Sequence, residues 1–239
     1  SNHKDHNVVN HSVESAKKIK KQHFVNAVLR NFLRNKVELI QIFKKNKFFL
    51  PKWWKSEILK NKNFNYDDYV VFAKHKPPLT IRLNFIDKNS YIKLLEKKGI
   101  VYTALSNKAI SLQTAVPINH VPLFNEGSVS VQDFGAQKVL ELIKLQKGSK
   151  VLDACASPGG KTIQILENDV ALTALDINEK RINLIKENLK RVGKNAKVIK
   201  ADVRKLDTWW DGVKFDSILL DVPCSSSGVL KRNPDIRFS

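Results

Sequence analysis

The first third of the chain sets apolar side chains at helical spacing. Phe24, Ala27, Val28, Leu29, Phe32 and Leu33 fall on one repeat, and Trp53, Trp54, Ile58 and Leu59 on another. This pattern predicts an all-helical module over residues 1–75, closed by Pro77-Pro78, neither of which can continue a helix. The pattern then changes. Leu79 to Asn84 alternates as a strand, Ser90 to Lys98 reads as a capped helix, and Val101 to Leu112 supplies further strand material. Residues 76–126 therefore read as a small α/β subdomain with Asn107 and Lys108 at a turn, and Pro117 to Gly127 connects it to the last part of the chain. From residue 127 strand and helix alternate. Val151 and Leu152 end an apolar strand, Pro158-Gly159-Gly160 forces a turn, and Thr162 to Leu166 resumes at helical spacing. A strand over Val170 to Leu175, a helix from Glu179 to Val192 stopped by Gly193, and strands at Ala196 to Ile199 and Phe215 to Leu220 complete the series. Such alternation predicts an α/β, Rossmann-like parallel sheet over residues 127–239.

Four strands in this series end in polar residues. In an open parallel sheet the carboxyl ends of the strands face one crevice where ligands bind, so the residues there carry the chemistry. Asp176 stands where a carboxylate accepts both hydroxyls of a ribose, Asp202 where it meets an adenine edge, and the fourth strand delivers Asp221 and Cys224. Two familiar nucleotide sites are excluded. A phosphate-binding P-loop needs glycine where Cys155 stands, and Ser157 to Thr162 does not supply Gly-x-Gly-x-x-Gly. Each aspartate alone would be an ordinary cap or turn residue, and an isolated Pro-Gly-Gly an ordinary turn. Four polar strand ends in register point to a site.

Asp153-Ala-Cys-Ala-Ser-Pro-Gly-Gly-Lys-Thr162 and Asp221-Val-Pro-Cys-Ser-Ser-Ser-Gly228 resemble the cofactor and active-site motifs of the RNA cytosine-C5 methyltransferases, and Gly127 to Gln137 resembles the segment that precedes them. The resemblance is strongest to the bacterial RsmB/Sun family, which acts on small-subunit (16S) ribosomal RNA and places a class I methyltransferase domain after a NusB-like helical module. It implies that residues 1–75 are NusB-like, with earlier helices lying before Asp5, and that residues 127–239 form the methyltransferase domain. It implies S-adenosylmethionine as cofactor, bound by Cys155, Ala156, Ser157, Pro158, Gly159, Gly160, Lys161, Asp176, Asp202 and Asp221. Ser157, Val222, Ser226 and Ser227 are mild departures from the family pattern.

The chemistry accounts for the residue types. Carbon 5 of cytosine is a poor nucleophile until a thiolate adds at carbon 6. A carboxyl group near the ring nitrogen then stabilises developing charge, the role given to Asp221. By resemblance Cys224 assists breakdown of the covalent adduct, while the attacking cysteine belongs to a later Thr-Cys motif. No Thr-Cys occurs in these 239 residues, so that motif and further strands are expected beyond Ser239. Attack by Cys224 itself stays open. Cys155 reads as a small packing residue within the cofactor turn.

Composition adds a partner. Lys and Arg number 42 against 23 Asp and Glu, a net charge of +19, which favours a polyanion such as ribosomal RNA. Lysine-rich coding bias would produce part of this excess. Runs such as Lys17 to Lys21 and Lys44 to Lys47 are also consistent with solvated helix faces. Trp53 and Trp54 are candidates to stack bases, with at least one of them used in the core. Two cysteines spaced for neither a bridge nor a zinc site, no apolar run of membrane-spanning length and no signal peptide predict a cytoplasmic monomer with no metal and no membrane partner. Two other readings remain: a non-catalytic RNA-binding protein that keeps the methyltransferase scaffold, and a DNA cytosine methyltransferase that uses Cys224.

Overall fold

The computed structural model describes residues 5–45, 50–61, 63–75, 77–113, 116–224 and 227–238. The chain forms two compact units, Ser1–His75 with Arg237–Ser239, and Lys76–Ile236.

The first unit is helical: α1 Asp5–Lys17, α2 Gln22–Arg34, α3 Lys36–Lys45, α4 Lys52–Lys60 and α5 Tyr66–Lys74. Val9 and Ala16, seven residues apart on one stripe of α1, are buried. Helix α5 starts where the Asn65 side chain accepts from the Asp67 and Asp68 N–H groups, satisfying two donors that the first turn leaves open. The Trp53 and Trp54 rings stack on each other with centroids 5.5 Å apart. Trp54 is buried and Trp53 is 52% exposed, so one ring belongs to the core and one faces solvent.

The second unit holds two four-stranded sheets. The first is antiparallel, in the order β2-β3-β1-β4, with β1 Leu79–Leu83, β2 Tyr102–Ala104, β3 Ala109–Leu112 and β4 Val129–Val131. Helix α6, Lys88–Lys97, buries Tyr91 and Leu95 in a core with Ile81, Leu83, Ile110, Leu112 and Val129. The helix starts two residues before Ser90, because the Asp87 side chain accepts from the Ser90 N–H and so caps it. A short helix, α7 Phe134–Lys138, leads on to the second sheet.

That sheet is parallel, in the order β7-β6-β5-β8. Its elements are β5 Lys150–Ala154, α8 Gly160–Ile165, β6 Ala171–Asp176, α9 Glu179–Arg191, β7 Lys197–Lys200 and β8 Ser217–Leu220. Alternate strand residues separate the two faces. Val151, Ala174 and Leu219 pack with Ile165, Ile182, Ile185 and Leu189 of the crossover helices. Leu152, Ala154 and Leu175 face the other way, against Val203, Trp209 and Phe215. After β7 the chain returns to the far side of β5. The strand order therefore reverses at β5, where a crevice opens beyond the strand ends.

Candidate active site

Strand β5 runs into the Pro-Gly-Gly turn through Cys155, whose φ of +60 places a non-glycine residue in the left-handed region. Gly159, with φ +100, takes the position before α8. The backbone conformation is what requires glycine there: a Cβ would find only ordinary contacts, 3.6 Å from the Ile185 Cα and 3.9 Å from the Asn188 Cβ. The turn is fixed from several sides. The Ala156 N–H donates to the Leu175 carbonyl and the Gly159 N–H to the Ala156 carbonyl, both at 2.8 Å. The Asn188 amide donates to the Pro158 carbonyl at 2.9 Å.

Asp176 ends β6 and is buried. Its two carboxylate oxygens accept from the backbone of the turn and of the α9 approach, from Ser157 N–H at 3.4 Å and Asn178 N–H at 3.1 Å. Asp202, just beyond β7, accepts a forked pair from Arg204, whose Nε is 3.0 Å and Nη2 2.7 Å from the two oxygens. The Arg204 side chain, with help from its backbone N–H, holds the Asp202 carboxyl down at about 2. Asp221, just past β8, pairs with Lys161 at 2.6 Å. The Cys155 thiol is pushed up by burial first and then by the nearby Asp176 and Asp221 charges.

A cleft of about 360 Å³ brings several of these groups together. Asp176 and Asp202 line it with Cys155, Arg181, Arg204 and Pro223, and Leu175, Ile177, Ala201 and Val203 give it apolar walls. Cys155 is half-buried in its wall, within the turn that follows β5. Cys224 follows Pro223 directly and is exposed. Neither cysteine is in a disulfide. Ser225 and Ser226, inside the second motif, lie outside the described residues. Among the described residues, no group of three His, Cys, Asp or Glu side chains is arranged to hold a metal, and no helix is long and apolar enough to cross a membrane. A larger cavity of about 670 Å³ borders Arg82, Lys108, Gln137 and Glu167 and contains none of the strand-end carboxylates.

Sequence reasoning passed over Arg181, Arg204 and Asp153. The arginines carry no signal of their own, since each is one basic residue among many in a helix or loop. Asp153 did carry one, a carboxylate inside the apolar run Val-Leu-Asp-Ala. It is 1% exposed, accepts from the Thr162 hydroxyl at 2.7 Å, and has its other oxygen without a hydrogen-bond partner among the described residues.

The residues fit an adenosyl cofactor. A cleft of this size lies within the roughly 300–1,000 Å³ common for small ligands. The backbone-held Asp176 keeps lone pairs free for two hydroxyls, and apolar side chains beside Asp202 suit a flat base with a polar edge.

Residues 140–239 match the family model described as 16S rRNA methyltransferase RsmB/F. Over 98% of its length the chain is 36% identical to the probable ribosomal RNA small subunit methyltransferase B of Coxiella burnetii, covering 58% of that protein. The chain spans a little over half the length of the curated relatives it matches. Among solved structures, the whole chain superposes on 57% of the crystal structure of PH0851 with a TM-score of 0.79 at 22% identity. For 74% of the chain there is a likeness to 71% of the structure of NSun6 from Pyrococcus horikoshii with SFG, with a TM-score of 0.64 at 18% identity. Both structural likenesses concern the fold.

Proposed function

We propose, from the premise that residues 140–239 belong to the 16S rRNA methyltransferase RsmB/F family, that this chain transfers a methyl group from S-adenosylmethionine to carbon 5 of a cytosine in small-subunit ribosomal RNA. The observation that carries the reading is the cleft at the strand ends. It gathers Asp176, Asp202, Cys155 and Pro223, with Cys224 next to Pro223 in the chain and Asp221 two residues before it.

The cofactor, when bound, supplies an electrophilic methyl group on a sulfonium. Asp176 holds the ribose hydroxyls, because its backbone donors fix the carboxylate before any ligand arrives. Asp202 receives the adenine edge once Arg204 yields it. The turn from Cys155 to Lys161 follows the cofactor's outline. Lys161 orients Asp221, which meets the ring nitrogen of the cytosine and holds charge or a proton there. Cys224 assists release of the product from an adduct formed by another thiolate. The target base leaves its stack to enter the site. Residues 1–75, NusB-like by resemblance, supply RNA contacts through exposed lysines such as Lys17, Lys18 and Lys20, and residues 76–126 through Lys97, Lys98 and Lys108. The protein works in the cytoplasm as a monomer.

The test is titration of the chain with S-adenosylmethionine, followed by incubation of the full-length protein that carries this chain with methyl-labelled cofactor and unmodified small-subunit ribosomal RNA. One-to-one binding and label recovered in 5-methylcytosine are expected. Failure to bind the cofactor would overturn the reading. Binding without transfer would favour a second reading, a non-catalytic RNA-binding protein on this scaffold. Cys224→Ala, made in the full-length protein, separates the two thiol roles. A covalent protein–RNA adduct accumulates if Cys224 serves release, and none forms if Cys224 attacks.

A further inference from the structure

The last two turns of α9 touch both the cofactor turn and the antiparallel sheet. On one side the Asn188 amide donates to the Pro158 carbonyl at 2.9 Å. On the other, the Arg191 guanidinium donates through Nη1 to the carbonyls of Phe124 at 2.6 Å and Val129 at 3.0 Å, and through Nη2 to the Ser130 hydroxyl at 3.3 Å. It also lies over the Phe124 ring, 4.3 Å from the centroid. The two side chains are joined, because Arg191 Nε donates to Asn188 Oδ1 at 3.2 Å.

That link fixes the asparagine. A guanidinium has donors and no acceptor, so Arg191 holds the amide oxygen and leaves the amide nitrogen to face the Pro158 carbonyl. Without Arg191 the amide is free to turn over, and its oxygen would then oppose the carbonyl. The sheet side is equally constrained. Gly127, at φ +75, approaches the end of α9 so closely that a Cβ would stand 2.3 Å from the Arg191 carbonyl oxygen. Ser130 also accepts from the Asn84 amide at 2.9 Å, and Asn84 from Arg82 at 2.7 Å. Arg82 in turn pairs with Glu167. An unbroken polar path therefore runs from the centre of the antiparallel sheet to the Pro158 turn.

We propose that Asn188 is a positioning residue for the cofactor turn, and that Arg191, by orienting Asn188 while gripping the Phe124–Ser130 segment, couples RNA engagement at the antiparallel sheet to cofactor affinity at the cleft. The positioning part stands on the geometry alone. The coupling part rests on the function proposed above.

The test compares the unsubstituted chain with Asn188→Ala and with Arg191→Lys, which keeps the charge and loses the fork. Amide hydrogen exchange of Gly159 and Ile163, whose N–H groups donate to the Ala156 and Gly159 carbonyls, is read first in the ligand-free chain. Both variants should exchange about tenfold faster there, the size set by one hydrogen bond, with the amides of β5 and β6 unchanged. S-adenosylmethionine is then titrated with and without a small-subunit ribosomal RNA transcript. In the unsubstituted chain RNA should tighten the cofactor by about fivefold or more, within the usual range of coupling. In both variants the ratio should fall to near one. A merely structural role would weaken affinity and leave the ratio alone. Unaltered exchange at the turn would overturn the positioning role, and an unaltered ratio the coupling. If the unsubstituted chain binds no cofactor, the function reading falls, and the exchange comparison by itself decides the role of Asn188.

Discussion

Asp153→Asn should remove a pH dependence of stability that one buried carboxyl imposes on the whole domain. Asp153 lies on the central strand β5 at 1% exposure. Burial raises its pKa to about 6, against the lowering effects of the Thr162 hydroxyl and Lys161, and Asp221 adds to the rise. In the unfolded chain an aspartate titrates near about 3.9. Between these values the folded protein keeps the proton that the unfolded chain has lost, so folding takes up a proton and stability falls as pH rises. A shift of about 2 units at about 1.4 kcal/mol each gives a loss of about 3 kcal/mol between about pH 4 and pH 7. Asparagine keeps an acceptor for Thr162 and cannot titrate. Urea unfolding followed by tryptophan fluorescence at steps of pH should therefore show the variant gaining on the unsubstituted chain by about 3 kcal/mol across that window. Carboxylates held low, such as Asp87 and Asp202, slope the other way and cancel in the comparison. Stability curves that stay parallel from about pH 4 to pH 7 would refute the reasoning.

Other perturbations read different parts of the site. Asp176→Ala removes a fixed anionic acceptor, so calorimetry should find S-adenosylmethionine bound about 10- to 100-fold more weakly, with RNA affinity nearly unchanged; equal loss of both would contradict the assignment. Gly127→Ala drives a Cβ into the Arg191 carbonyl at 2.3 Å and strains φ +75, which should cost about 3 kcal/mol or more in chemical denaturation; a neutral substitution would show that the segment can shift. Arg204→Ala leaves Asp202 without its fork, so carbon-detected NMR titration should find that carboxyl rising from about 2 toward its ordinary 3.8. A value that stays put would assign the depression to another group.

The parallel sheet was legible because its elements are local and strongly patterned. Apolar strands, a Pro-Gly-Gly turn and a capped helix each announce themselves within a dozen residues, and the four strand ends then identify the crevice. The antiparallel sheet was less legible. Its fourth strand, Val129–Val131, is three residues long and pairs with β1 some 50 residues earlier in the chain, so its placement depends on a distant partner rather than on periodicity. Local side-chain choices also escaped. Asp87 rather than Ser90 caps α6, because the cap is the residue that accepts from the third helical N–H and either type qualifies. Nothing in the run Ala-Cys-Ala marks Cys155 as left-handed, since that conformation is imposed by the Pro-Gly-Gly turn beyond it. The Arg204 fork and the Asn188–Arg191 link depend on rotamers, which sequence spacing leaves undetermined.

The three carboxylates at the strand ends differ in what holds them, and the difference orders their roles. Asp176 is held by two backbone N–H groups in the absence of a ligand, so under the proposed function hydroxyl recognition there starts from a prepared acceptor. Asp202 is held by a side chain two residues away whose guanidinium is largely exposed. Arg204 is the exposed partner and the Asp202 carboxylate is mostly buried, so a base edge that displaces the guanidinium has to donate to that carboxylate in its place. Asp221 is held by Lys161, which is mostly buried and sits on the first turn after the cofactor loop. Displacing that lysine would strand a poorly solvated ammonium, which makes the pair costly to separate. Under the proposed function Lys161 and Asp221 would therefore meet an incoming base as one unit. The Asn188 anchor on Pro158 lies three residues before that lysine, so the anchor and the Lys161–Asp221 pair act on one short stretch of chain.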